Sequence, residues 1–271
     1  MNKFSVLISV YHKENPQFLK IALDSIFNQT ICPNEVVLVE GGPLTDSLYE
    51  VINEYEENFN GILKVIRLPQ NVGLGRALNA GLEQCSHDLV VRMDSDDICV
   101  ENRFERLLQA VSENETADVI GSWIDEFATK PTEVVSVRQT PEKDEDIKRL
   151  ATSRSPMNHV SVLFKKGAVQ AVGGYQDFYL LEDYYLWCRM IKANCTFYNL
   201  QEVLVHVRCG TDMFRRRGGL KYAKSEYRLF KYMYQNGMIG LGRFLFNASA
   251  RFIVRVSPTW LRQSVYLKLL R

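Results

Sequence analysis

The chain opens on a short apolar run rich in β-branched residues, "KFSVLISVY", followed by the polar "HKENP" and the periodic "QFLKIALDSIFNQ". An apolar run giving way to a 3.6-residue apolar period predicts strand, loop and helix, with Pro16 suited to the first helical turn. The pattern then repeats. "EVVLVEG" predicts a second strand, and "TDSLYEVINEYEENF" a second helix with Thr45 or Asp46 as its cap. "LKVIRL", "VGLGRALNAGLEQC" and "DLVVRM" predict strand, helix and strand, and "ENRFERLLQAVSEN" and "DVIGSW" a further helix and strand. Strands alternating with helices of this length predict an α/β fold with a mostly parallel central sheet flanked by helices.

From Phe127 the pattern changes. "VVSVRQ" predicts a strand, "EKDEDIKRLA" a polar helix, and "NHVSVLFKKGAVQAVGGY" a strand and short helix ending in glycines. "EDYYLWCRMIKAN" predicts a helix, and "CTFYNL" and "EVLVHVR" two more strands. No internal repeat or long linker separates these elements, so residues 128–208 are expected to complete the domain begun by residues 1–127. Residues 209–271 are expected to form a basic tail of amphipathic helices.

In a parallel sheet covered on both faces, ligands bind beyond the carboxyl ends of the strands. Three polar clusters fall there: Tyr11 to Asn15, Glu40 to Gly42, and the acids of "VVRMDSDDI". Asp94, Asp96 and Asp97 repel one another and must be hydrated, paired or metal-bound. A solvated turn capping the next helix is the plain alternative, but three such clusters at one edge favour a binding site. A hard divalent ion, Mg²⁺ or Mn²⁺, wants oxygen ligands and commonly sits between carboxylates and substrate phosphates. Asp94 and Asp96 are the expected ligands. Other nucleotide chemistries lack their marks: "GLGRAL" is not a full G-x-G-x-x-G after the first strand, and no G-x-x-x-x-G-K-[ST] or G-x-S-x-G is present.

These motifs together resemble the family 2 glycosyltransferases, inverting enzymes of the GT-A fold that use nucleotide-diphosphate sugars. The resemblance rests on "VLISVYHKEN", on Asn71, Gly73, Ala77, Asn79 and Gly81 in "NVGLGRALNAG", on Asp94-Ser95-Asp96, and on "VGGY" followed by Glu182-Asp183. It covers about residues 3–208 and is similar to bacterial enzymes of O-antigen, capsule or exopolysaccharide synthesis. It implies a nucleotide-sugar half in residues 1–127 and an acceptor half in 128–208. It further implies donor contacts from Ser9, Val10, Tyr11, Glu14, Glu40, Asn71, Gly73, Asn79, Asp94, Ser95 and Asp96. Two roles are open to Arg76 and Arg92, contact with the donor diphosphate or pairing with neighbouring acids. Asp183 is implied as the base that activates the acceptor hydroxyl, with Glu182 orienting acceptor or base; helix-start capping is the alternative for this pair. Where the family commonly has Asp-Asp-Gly-Ser, this chain has Glu40-Gly41-Gly42-Pro43. Glu40 can still accept from a uracil imide, so a UDP-hexose remains the favoured donor. The implied acceptor is an oligosaccharide or lipid-linked sugar.

Charge changes the picture at the C-terminus. From Val205 onward there are fourteen Lys/Arg against two Asp/Glu, a balance of +12, so the first 204 residues carry −11 of a formal total of +1. "IGLGRFLFNASARFIVRV" and "TWLRQSVYLKLLR" combine large apolar residues with spaced arginines, interrupted before a span of about 20 residues develops. As helices they are expected to rest on an anionic membrane surface, with a helix pair packed on the domain or on a second copy as the alternative. The expected place is the cytoplasmic face of a bacterial inner membrane, without a signal peptide. Six cysteines without a C-x-x-C pair fit a reducing compartment. Arg208 and the run Arg215 to Arg217 are candidates for a lid over the diphosphate. A sugar-nucleotide nucleotidyltransferase, or a basic adaptor for membrane or nucleic acid, is the competing reading. The first would show a glycine-rich basic loop after the first strand, and the second leaves the acids unexplained; no nucleic-acid module is present.

Overall fold

The computed structural model describes residues 2–209 and 218–257. The first half is the predicted alternation: β1 (Phe4–Val10), α1 (Pro16–Phe27), β2 (Glu35–Glu40), α2 (Asp46–Asn58), β3 (Leu63–Arg67), α3 (Leu74–Gln84) and β4 (Leu89–Asp94). Asn15 caps α1, its side chain accepting from the Gln17 amide at 2.8 Å, with Pro16 in the first turn. A two-residue β5 (Ile98–Cys99), α4 (Arg103–Glu113), β6 (Val119–Phe127), β7 (Val134–Arg138) and α5 (Asp144–Ala151) follow. After a 3₁₀ turn at His159–Ser161 come β8 (Leu163–Lys165), α6 (Lys166–Ala171), α7 (Glu182–Lys192), β9 (Phe197–Arg208), α8 (Leu220–Gln235) and α9 (Leu241–Val256).

The strands form one sheet in the order β3-β2-β1-β4-β8-β6-β9-β5, with β7 paired to β6. The expected mostly parallel sheet is corrected here to a mixed one. β1, β2, β3 and β4 are mutually parallel, and β6 runs parallel to β9. The β4–β8, β6–β8, β6–β7 and β5–β9 ladders are antiparallel. A parallel return needs a crossover of a dozen or more residues, and the short connection from Phe127 to Val134 permits only a hairpin. The two predicted strands "CTFYNL" and "EVLVHVR" are one, β9, whose register against β6 shifts around Trp123.

Both faces of the sheet are covered, which is why the first strands read as unbroken apolar runs. Phe4, Val6 and Ile8 face a core shared with Leu19, Leu23 and Phe104, while Leu7 faces a second core with Val39, Leu78 and Trp187. Helix α3 lies close on that second face because Gly81 has no side chain. A Cβ there would stand 2.5 Å from both Leu7 Cδ1 and Val39 Cγ2.

Helices α8 and α9 pack on α7. Phe178, Leu181, Tyr184 and Cys188 share a third core with Leu229, Phe230, Met233 and Phe244. Helix α9 turns Asn247, Arg251 and Arg255 inward. Asn247 donates to Thr152 O, Arg251 to Ser153 O, and Arg255 makes two 2.8 Å bonds to Glu226. Its outer face carries exposed Leu241, Leu245, Phe246, Phe252, Ile253 and Val256, with Phe246 at 72%. Arg251 and Arg255 therefore do not point to a surface, as the spaced-arginine pattern had implied. Arg215 to Arg217 and Arg262 lie outside the described residues. No helix among the described residues is long and apolar enough to cross a membrane.

Candidate functional site

The parallel register aligns the carboxyl ends of three strands. Ser9 sits beside Val39 on one side and Asp94 on the other, and Val10 sits beside Glu40. The three polar clusters expected at the edge are thus neighbours in space. After Asp94 the chain turns, and β5 carries it into a short ladder with β9, where Ile98 pairs with His206. That ladder holds the acid turn from behind. The Arg208 amide donates to Asp97 Oδ1 at 2.8 Å, its Nε to the Asp96 carbonyl at 3.3 Å, and its guanidinium lies over the rings of Phe18 and Phe127.

Carboxylate oxygens of Asp94, Asp96 and Asp97 all lie within 4.8 Å of one another. Asp97 was not assigned as a ligand from the sequence; its position next to the D-x-D string was the available signal. Glu14 adds a fourth acid, accepting from Ser95 Oγ at 2.6 Å. Burial, then Asp94, then Glu14 push the Asp96 carboxyl up to about 7. Burial, then Asp96 and Asp94, raise Asp97 as well. Crowded oxygen donors whose charges oppose one another are what a hard divalent cation relieves, so the residues fit such an ion.

Arg92, only 1% exposed, reaches Asp94 Oδ1 through Nη2 at 2.5 Å. Its Nε and Nη1 are buried without a hydrogen-bond partner. Of the two roles open to it, diphosphate contact or pairing with a neighbouring acid, the geometry gives the second. It fixes the orientation of Asp94. Glu40 is 2% exposed and raised in pKa by burial, against the pull of Arg67 at 3.3 Å. Gly42, with φ +94°, lets the following loop pass close to Asn71; a Cβ would stand 2.6 Å from the Asn71 amide.

The "NVGLGRALNAG" residues divide by role. Asn71 Oδ1 accepts from the Gly73 amide at 2.9 Å, forming the turn that starts α3. Asn79 spends both ends of its amide on Tyr175, donating to its carbonyl at 2.6 Å and accepting from its N–H at 2.8 Å. That clamp explains the second glycine of "VGGY": Gly174 has φ +62°, and a Cβ would stand 2.5 Å from Asn79 Oδ1. Arg76 is exposed, 3.7 Å from Asp177, and Tyr11 is exposed at the mouth of the edge.

The clamp carries α7 to the site. Gly75 in α3 approaches Glu182, whose Cγ would be 3.4 Å from an added Cβ. Burial, with Asp183 adding, raises Glu182 to about 7. The Tyr175 hydroxyl meets His159 Nε2 at 2.8 Å. Burial first, with Asp183 and Asp94 contributing, holds the Tyr175 proton, so both carboxylates act on one phenol. His159 stays neutral because burial and Arg92 oppose its protonation. Asn158 is buried and donates to Ser122 O at 2.8 Å, a structural bond.

The family model "Glycosyl transferase family 2" matches residues 5–172. The chain is 40% identical over 269 residues to an Escherichia coli UDP-Gal:alpha-D-GlcNAc-diphosphoundecaprenol beta-1,3-galactosyltransferase, covering 99% of this chain and 97% of that one. It is 37% identical over 265 residues to the amylovoran biosynthesis glycosyltransferase AmsE of Erwinia amylovora, covering 98% of each. The crystal structure of a fragment of S. aureus TarS in complex with UDP-GlcNAc shares the fold, with a TM-score of 0.70 at 19% identity, over 98% of this chain and 76% of that one.

Proposed function

The chain belongs to glycosyl transferase family 2, and on that premise we propose an inverting hexosyltransferase that takes its sugar from UDP. Its acceptor is a sugar carried on a lipid diphosphate during bacterial surface-polymer synthesis. The observation that carries this reading is the meeting of Glu40 and the Asp94–Asp97 turn at one sheet edge, with Glu182 at the start of α7 packed beside Gly75 of α3 and the two named relatives as support. Glu40 accepts from the uracil imide, and Ser9, Tyr11 and Glu14 line the nucleotide. Asp94, Asp96 and Asp97 would hold Mn²⁺ or Mg²⁺, which when bound would stabilise charge on the departing diphosphate.

Inversion needs one base on the face opposite the leaving group. Asp183 takes the proton of the acceptor hydroxyl as that oxygen bonds to the anomeric carbon. The bond from that carbon to the diphosphate oxygen breaks, and its electron pair leaves with UDP. Glu182, raised toward neutrality, shares a proton with the acceptor and keeps it oriented. Arg208 and Arg76 stand at the rim for the diphosphate. A panel of nucleotide sugars, assayed for binding with Mn²⁺ and for hydrolysis or transfer, tests the reading. UDP-hexoses should bind and react; failure to bind any nucleotide sugar overturns it.

For residues 209–271 we propose attachment to the cytoplasmic face of the inner membrane. The support is the outward apolar face of α9 together with the +12 balance of the C-terminal region. Phe246→Ser with Phe252→Ser and Ile253→Ser should move the protein from anionic vesicles to the soluble fraction in flotation. A shift from dimer to monomer with no change in flotation would assign the face to a second copy instead.

A further inference from the structure

Asp183, the proposed base, is the second residue of α7, and Tyr184 beside it fixes that turn from behind. The buried Tyr184 hydroxyl donates to the Ala151 carbonyl at 2.6 Å, and burial keeps the proton on this phenol. Ala151 is the last residue of α5, and Thr152 and Ser153 turn back on Arg149 and Leu150. Carbonyls at and just beyond the end of a helix have no partner within it and must be satisfied from elsewhere. Here three in succession are. Ala151 O is taken by α7, while Thr152 O accepts from Asn247 and Ser153 O from Arg251, both of α9 and both at 2.9 Å. One turn of chain is thus held between the helix that carries Asp183 and helix α9.

Helix α9 is itself fixed. Asn247, Arg251 and Arg255 recur every four residues and so share one face. Arg255 makes paired 2.8 Å bonds to Glu226 of α8, and Arg251 lies 3.8 Å from the same carboxylate. Glu226 answers both guanidinium groups, which makes them ties between helices. Helix α8 in turn packs on α7, through Leu229, Phe230 and Met233 against Tyr184 and Cys188. Asp183, Tyr184, Arg138, Arg251, Arg255 and Glu226 line one cavity where these elements meet.

We propose that α9 positions the base: Asn247 and Arg251, acting through the Ala151–Ser153 turn and Tyr184, set where Asp183 stands. The inference rests on the glycosyltransferase reading with Asp183 as base, and adds to it the residues that hold that base in place. A reacting group displaced by about 1 Å can lose about a hundredfold in rate. The donor edge does not share these ties. It is built from the parallel ends of β1, β2 and β4 and from Arg92 under Asp94. Loosening α9 should therefore slow the chemical step and spare donor binding.

The test uses the full chain, the UDP-hexose selected by the nucleotide-sugar panel, and a sugar-diphosphate alkyl acceptor. Tyr184→Phe, Asn247→Ala and Arg251→Met should each lower kcat about tenfold. KM for the UDP-hexose and Mn²⁺-dependent UDP affinity should stay within about twofold. Arg251→Lys, which keeps a charged donor, should recover most of the loss, and Lys231→Gln, at an exposed position of α8, should change nothing. Because Tyr184 and Asn247 act on one turn, their double variant should lose about tenfold rather than about a hundredfold. Tyr184→Phe deletes one oxygen and keeps the packed ring, and thermal unfolding of each variant shows that turnover is read from folded protein. Unchanged kcat in the three single variants overturns the inference, as does a multiplied loss in the double. A parallel loss of UDP affinity would mean general distortion and overturns it too. Asp183→Asn in the same assay reads the base separately: if it abolishes turnover while the three variants do not, only the positioning fails. Turnover of Asp183→Asn near wild type, or no reaction with any nucleotide sugar, overturns both.

Discussion

The acid turn after β4 and the arginine-lined cavity beside Asp183 differ in charge balance and in origin. In the first, Asp94, Asp96 and Asp97 come from four consecutive positions and concentrate negative charge at a sheet edge. In the second, arginines from residues 138, 154, 251 and 255 converge from separate segments around Asp183 and Glu226. The acid turn crowds charges of one sign, whereas in the cavity Glu226 answers both Arg251 and Arg255. The difference teaches where such sites come from. A short run of acids makes its own site wherever the fold presents it, whereas the cavity exists only once α8 and α9 have packed against α7.

Asp183 lies on the cavity side of this comparison, and its loss should have the largest effect. Asp183→Asn should lower turnover about 10²–10⁴-fold, because proton abstraction matters chiefly in the transition state. Affinity for UDP-sugar should be nearly unchanged in calorimetry. Turnover near wild type would break the assignment and return the Glu182-Asp183 pair to helix capping.

Asp96→Asn should do the converse. It removes a donor from the acid turn, so Mn²⁺-dependent UDP binding should fall about a hundredfold, with turnover falling alongside. In the wild type a cation must displace the proton that Asp96 holds up to about 7. Metal affinity should therefore weaken by about tenfold per pH unit as pH falls below 7. An affinity flat from pH 8 to pH 6 would remove Asp96 from the ligand set.

How much of this contrast could be read from the chain follows from its origin. The acid turn was legible because its residues are contiguous and follow an apolar run that had to be a buried strand. The cavity was not, because nothing in the one-dimensional pattern relates Arg154 to Arg251. The same division holds for the fold. Strands β1 to β4 announce themselves by apolar runs buried on two faces, but periodicity carries no direction, so the antiparallel insertion of β8 between β4 and β6 was invisible. Strand β9 read as two because Gln201-Glu202 interrupts its apolar run where the register against β6 shifts. Helix α9 misled for a related reason. A helical period marks two faces without saying which is inside, and here Arg251 and Arg255 are in while Phe246 and Phe252 are out.

Arg92 tests the acid turn from beneath. Replacing it by Met removes the buried cation from Asp94 while keeping comparable volume. Breaking a buried ion pair from one side should destabilise the protein by about 3 kcal/mol in urea denaturation. Added Mn²⁺ should recover part of that loss by supplying the missing positive charge. Recovery with Mn²⁺ in Arg92→Met but not in the double variant with Asp96→Asn would tie both effects to the same carboxylates. No loss of stability would mean that the orphaned Nε and Nη1 atoms already cancel what the ion pair contributes.

The smallest expected effect belongs to Glu182, which sits between the two regions. Burial raises its folded pKa to about 7, above the ordinary glutamate value near 4.5. Between those values the folded state holds a proton that the unfolded state has released, so this group's contribution to stability declines as pH rises through the window. Above pH 7 the folded carboxyl is itself charged and the decline ends. Glu182→Gln removes the titration while keeping the shape. The variant should match the wild type near pH 4 and exceed it by about 1–3 kcal/mol at pH 8, measured without metal or donor. A constant difference across that range would show that Glu182 titrates alike in both states. Its closeness to Asp183 and to Gly75 of α3 would then be a matter of packing, and the carboxyl would have no proton to share with an acceptor at neutral pH.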